Sequence, residues 1–81
     1  MRRYVAVVHR KPGGYGVSFP DVPGCASRGR TVDEAMRVAR KALDLHLAGL
    51  RKAGEAVPAP RDFAAVIMST DSKGALAFIL I

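Results

Sequence analysis

The stretch Tyr15–Thr31, Tyr-Gly-Val-Ser-Phe-Pro-Asp-Val-Pro-Gly-Cys-Ala-Ser-Arg-Gly-Arg-Thr, limits what this chain can fold into more than any other. Tyr15, Val17 and Phe19 alternate with Gly16 and Ser18, the period of a strand with one apolar face. Pro20 has no N–H to give to a ladder, so the strand stops or turns an edge there. Pro20, Asp21, Pro23 and Gly24 then crowd into five residues. Proline fixes φ, aspartate bonds the backbone two residues on, and glycine accepts positive φ, so the bend is stiff. Cys25, Ala26 and Ser27 are small and read as a short return strand, which Gly29 breaks. Thr31 is a candidate helix N-cap. The stretch predicts a β-hairpin with a rigid bend that feeds a helix. Such a bend either serves the fold alone or also holds a ligand-facing surface.

The rest of the chain falls into place around it. Arg3–His9 is apolar on both faces, as a central strand would be. Arg10-Lys11-Pro12-Gly13-Gly14 is a polar turn that joins it to Tyr15–Phe19 as an antiparallel hairpin. The helix is the clearest element. Thr31 and Glu34 have capping-box spacing, and Asp33 and Glu34 suit the positive end of the helix dipole. Val32, Ala35, Met36, Ala39, Leu43, His46, Leu47 and Leu50 form one apolar stripe at helical spacing. Asp33–Arg37 and Arg40–Asp44 are i,i+4 pairs on the other side. Gly54 marks the C-cap region and Pro58 prevents continuation. Ala56–Pro60 is a stiff linker, and Phe63–Ser69 reads as a short helix capped by Asp62 or as a strand. Thr70–Gly74 is a turn, and Ala75–Ile81 is a final apolar strand.

A helix between strands allows a parallel, right-handed crossover that lays the last strand beside the first. The expected fold class is therefore α+β, β-β-β-α-β, with sheet order 3-2-1-4 and one main helix on one face. One helix covers one face only. The apolar last strand at the edge then predicts self-association, through that strand or through the open sheet face.

The chain has 81 residues, one small domain, and is 49% hydrophobic, enough for a packed core. A single cysteine excludes an intramolecular disulfide framework. With no secretory signal and no apolar run long enough to span a bilayer, a reducing cytoplasm is the expected location. The net charge of +6 permits nucleic acid or acidic proteins as partners without identifying one, and it also describes an ordinary solvated helix face.

Catalytic chemistry finds little support in the residues. Metal-dependent nuclease chemistry needs carboxylates on neighbouring strands, and the strands carry none. Asp21 in the bend and Glu34 in the first helical turn could approach each other, but each has a local job. Cys25 lacks an obvious activating base and reads as a small buried residue. His46 lies within the apolar stripe and His9 ends the first strand, so no metal-ligand spacing exists. Gly13-Gly14 precedes a strand and not a helix, which makes it a turn and not a phosphate loop. Tyr4, Tyr15 and Phe19 lie near Arg2, Arg3, Arg10, Lys11, Arg28 and Arg30, a weak version of a nucleic-acid stacking platform.

Taken together, Phe19-Pro20-Asp21-Val22-Pro23-Gly24-Cys25, Gly29-Arg30-Thr31, Glu34-Ala35, Ala42-Leu43, Leu47 and Val57-Pro58-Ala59-Pro60 resemble the HicB family of antitoxins. The resemblance covers about residues 4 to 60, and the final strand fits it. It implies a partial RNase H-like fold. It also implies a non-catalytic protein, without cofactor or metal, that binds and neutralises a HicA-type mRNA-cleaving toxin and forms homo-oligomers. In the family the acid of a Gly-Asp-Thr helix start is usual, and Arg30 stands there in this chain. Family members often add a C-terminal DNA-binding domain. The expectation here is a single HicB-like domain over residues 1–81 without one. A solitary basic module that binds RNA or DNA is the alternative. If the bend is an interface, Tyr15, Phe19 and Asp21 are the expected partner contacts. Pro20, Pro23, Gly24, Thr31 and Glu34 are the structural part of the motif.

Overall fold

The computed structural model describes residues 3–69 and 74–81. Its elements are β1 (Val5–Lys11), β2 (Gly14–Ser18), β3 (Ala26–Gly29), α1 (Val32–Lys52), α2 (Phe63–Ser69) and β4 (Ala75–Leu80). The sheet order is β3-β2-β1-β4, as the sequence predicts. Phe63–Ser69 is helical, which settles the choice left open there. Of the expected turn Thr70–Gly74, residues 70–73 lie outside the described residues, and Gly74 takes φ +82°.

The two faces of the sheet are built differently. Tyr4, Ala6 and Val8 of the first strand region join Val17, Phe19, Val22 and Cys25 in one buried cluster under Ala35, Ala39, Leu43 and Leu47 of α1. These four helix residues recur every four positions, so they form the stripe that the periodicity predicts. Val5 and Val7 point the opposite way because side chains alternate along a strand. Both are fully buried, as is Val66 of α2. With α1 committed to the first face, α2 is the element that covers this part of the second. The expectation that one helix leaves the second face bare is thus corrected on the β1 side of the sheet.

β4 runs antiparallel to β1, with Val5 opposite Leu80 and Val7 opposite Phe78. This overturns the parallel crossover allowed by the sequence. The reason is where the chain re-enters the sheet. α1 carries it back to the end at which β2 leaves the sheet for the bend, and a strand starting there would run parallel to β1. Instead the linker crosses that end, where the Tyr4 hydroxyl donates to the Pro58 carbonyl and Arg61 meets Asp21. α2 then returns the chain to the hairpin end, so β4 starts beside His9 and runs down antiparallel.

The helix ends follow the predicted chemistry. Thr31 Oγ1 accepts the Glu34 N–H at 3.0 Å. The Glu34 carboxylate takes the Arg30 N–H at 3.4 Å, one residue before the N-cap. At the other end Glu55 N–H donates to Leu50 O and Gly54 N–H to Arg51 O, which is a Schellman pattern. The i,i+4 pairs Asp33–Arg37 and Arg40–Asp44 do not close: among the described residues, only Arg61–Asp21 lies within 4.0 Å. Exposed pairs gain too little to hold two long side chains in one geometry.

Candidate functional site

The bend is built by two successive turns. Val22 N–H donates to Phe19 O at 2.9 Å, and Cys25 N–H to Val22 O at 3.1 Å. Gly24 takes φ +87°, which an L-residue adopts only with strain. Pro23 and Gly24 form the exposed outer knuckle, and the His46 ring of α1 lies beside Gly24. Cys25 is buried and free, and burial pushes its thiol pKa up because desolvation disfavours the thiolate.

The predicted contact residues lie in unlike places. Phe19 is 3% exposed and belongs to the α1-side core. The Asp21 side chain is 7% exposed, and its carboxylate accepts the Arg61 backbone N–H at 2.9 Å and Arg61 Nε at 2.6 Å. Arg61 also donates to Ser69 Oγ at 2.8 Å, so one arginine ties the bend to both ends of α2. Tyr15 is half-buried at the other end of β2, with the Arg10 guanidinium 5.9 Å over its ring. The fold thus brings Phe19 and Asp21 together and leaves Tyr15 apart. It also separates Asp21 from Glu34, since the bend and the start of α1 lie at opposite ends of β3.

Gly14 and Gly29 matter in a way the motif does not announce. A Cβ on Gly29 would lie 2.4 Å from the Ala35 backbone N, so α1 and β3 touch here main chain to main chain. Ser27 strengthens the same contact by donating to the Ala35 carbonyl at 3.1 Å from a buried position. The short returning strand with small residues was the signal for this close approach.

Two surfaces stay open beside the bend. On the second face, His9, Gly16 and Arg28 stand in one row across three strands. With Lys11, Ser18 and Ala26 they line a shallow groove of about 420 Å³. On the first face, between α1 and β4, lies a groove of about 640 Å³ lined by arginines and apolar side chains. Sequence reading noted the helix arginines but not that the fold turns them to the β4 edge. Among the described residues, no three of His, Cys, Asp and Glu come close enough to hold a metal, and no helix is long and apolar enough to cross a membrane.

This geometry recurs in known proteins. Over 98% of its length the chain superposes on the N-terminal domain of Burkholderia pseudomallei antitoxin HicB, covering 94% of that domain, with a TM-score of 0.83 and 31% identity. It likewise matches a chain of the HicA3 and HicB3 toxin-antitoxin complex, with a TM-score of 0.77 and 26% identity over 98% of this chain and 92% of that one. A Haemophilus phage HP1 protein, an uncharacterized 14.9 kDa protein from the rep-hol intergenic region, is 42% identical over 55 residues. That match takes in 68% of this chain and 41% of the phage protein, so the chain spans well under two thirds of this relative. The model of the HicB_like antitoxin of bacterial toxin-antitoxin systems matches residues 4–81. The rigid bend, the capped helix and the 3-2-1-4 sheet are thus the frame of a known family, and the chain belongs to the HicB-like antitoxins.

Proposed function

We propose that this chain binds and neutralises a HicA-type, mRNA-cleaving toxin. The observation that carries the reading is the match to a chain of the HicA3 and HicB3 toxin-antitoxin complex across 98% of this chain. The role is one of binding, since Asp21 and Glu34 lie at opposite ends of β3 and each carboxylate is already engaged, Asp21 by Arg61 and Glu34 by the Arg30 N–H. The contact surface proposed at the bend is its outer knuckle, Pro23 and Gly24 with His46 beside them. Phe19 and Asp21 support that knuckle from inside, and Tyr15 belongs to a separate patch with Arg10. Co-expression with a HicA-type toxin tests the reading. Growth is expected to recover and the two proteins to elute together. A toxin that stays lethal and elutes alone would refute it.

The row His9–Gly16–Arg28, with Lys11, favours a second reading, RNA binding by the open sheet face. Three basic groups converge there with no carboxylate among the described lining residues, and Ser18 adds a hydroxyl. Binding of a single-stranded RNA oligomer should then weaken steeply with salt and should fall in Lys11→Ala/Arg28→Ala. RNA affinity indifferent to salt and to both substitutions disposes of it.

A further inference from the structure

β4 is an edge strand, and its free rim can be assigned residue by residue. Tyr4 N–H donates to Ile81 O and Ile81 N–H to Tyr4 O, each at 3.0 Å, so this pair exchanges both bonds. In an antiparallel ladder such pairs alternate with pairs that exchange none. Ile79 and Ala77, opposite Ala6 and Val8, therefore also turn their N–H and C=O toward β1. Phe78 and Leu80 turn theirs outward, where no strand follows among the described residues. Among the described residues, only the Arg3 guanidinium reaches this rim, donating to Leu80 O at 3.5 Å. The strand Ala-Leu-Ala-Phe-Ile-Leu has no charge or proline to discourage pairing, and its one register shift against β1 falls at Leu76, away from the Phe78 and Leu80 groups.

Beside this rim runs the larger groove of the first face. Its floor is apolar, from Tyr4, Leu43, Leu47 and Ile81. Its border is cationic, from Arg3, Arg40 and Arg51, with Asp44 the single acidic side chain among the described lining residues. None of the three arginines has a carboxylate within 4.0 Å among the described residues. A fifth strand laid against β4 would direct every second side chain toward this groove.

We infer that the β4 edge and the arginine groove together form a docking site for an extended acidic segment of a partner protein. The segment adds a strand to the sheet, with its backbone on the Phe78 and Leu80 groups, its apolar side chains on the floor and its carboxylates at the arginines. Charge decides the occupant. Two copies paired through β4 about a two-fold axis would bring both grooves onto the same side of a continuous sheet. Each contributes three arginines against one aspartate, so the copies repel at the point of contact. A nucleic acid supplies phosphates but no peptide backbone for the rim. The site is separate from the bend knuckle and does not rest on the toxin reading.

The test uses the whole chain at 0.1 M salt and a fluorescein-labelled peptide, Glu-Thr-Val-Thr-Glu-Thr-Ile-Thr-Glu, whose alternate residues place glutamates and apolar side chains on one face, read by anisotropy. Saturable binding is expected, with no binding of the peptide in which lysine replaces glutamate. Arg40→Glu/Arg51→Glu should weaken it by about tenfold or more, and both positions are exposed, so the fold should hold. N-methylation of alternate peptide nitrogens should abolish binding in one register and spare it in the other, which needs no change to the protein. Binding that ignores N-methylation in both registers, or that survives the charge reversal, overturns the proposal. So does a chain that already sediments as a dimer through β4 at this salt.

Discussion

Asp21 shows how a residue can dominate a motif and still work inward. Its carboxylate is almost buried and holds both the backbone and the side chain of Arg61, while Arg61 itself is 45% exposed. A fully desolvated bond to a charged group is worth about 1.5–3 kcal/mol, and exposure of Arg61 discounts this. Asp21→Ala should cost about 1.5 kcal/mol, because it leaves the Arg61 N–H without its acceptor. Arg61→Ala should cost less. A melting temperature that falls about 4–8 °C per kcal/mol reads both, and an unchanged value for Asp21→Ala would break the account. Gly29→Ala should be harsher, at about 2 kcal/mol or more, since the obstacle to its Cβ is the rigid start of α1. Cys25 gives a chemical readout. Its folded pKa lies above the ordinary 9.0, so on raising the pH the unfolded chain loses the thiol proton first. Stability should therefore fall above about pH 9, with part of the slope removed in Cys25→Ala. Alkylation of the native thiol at pH 8 should be slower than in urea by on the order of tenfold. Pro20, Gly24 and Thr31 were legible as local devices because their partners lie a few residues away. Arg61 was not, since its partner stands 40 residues away and no spacing rule connects them.

Elements were more legible than their arrangement. Each strand has its own periodicity and each helix its own start signal, so all six appear near the expected positions. The sense of β4 was not readable, because it depends on which end of the sheet the chain reaches after the linker. That is decided by contacts distant in sequence: Tyr4 on Pro58 and Asp21 on Arg61. The cover of the second face was hidden for the same reason. Val66 is one apolar residue in a seven-residue helix, and only the fold shows it to be fully buried. The helix cap offers the cleaner test of element stability. Thr31→Ala leaves Glu34 N–H without its acceptor and should cost about 1 kcal/mol. Thr31→Ser should restore most of it, since the hydroxyl remains. Equal loss in both variants would mean that the threonine acts by packing and not by its hydrogen bond.

For the molecule as a whole, the open question in the sequence was what covers an apolar edge strand. The structure pairs that edge with charge. Leu80 is 36% exposed on β4 where Arg3 reaches its carbonyl, Arg3, Arg40 and Arg51 line the groove at that end, and the chain carries a net charge of +6. Repulsion between copies then does what a lysine on the edge does in many sheets. Self-association is then conditional on ionic strength, where an uncovered strand alone would associate at any salt. Screening reaches about 10 Å at 0.1 M salt and about 3 Å at 1 M, the distance over which neighbouring arginines act. Sedimentation at micromolar concentration should therefore find a monomer at low salt and a shift toward dimer near 1 M. Leu80→Lys, placed on the free rim, should hold the chain monomeric at both. A dimer already complete at low salt and indifferent to Leu80→Lys would locate association elsewhere. It would also deprive the arginines of the part given to them here, because charge at the edge would then decide nothing about which partner the sheet accepts.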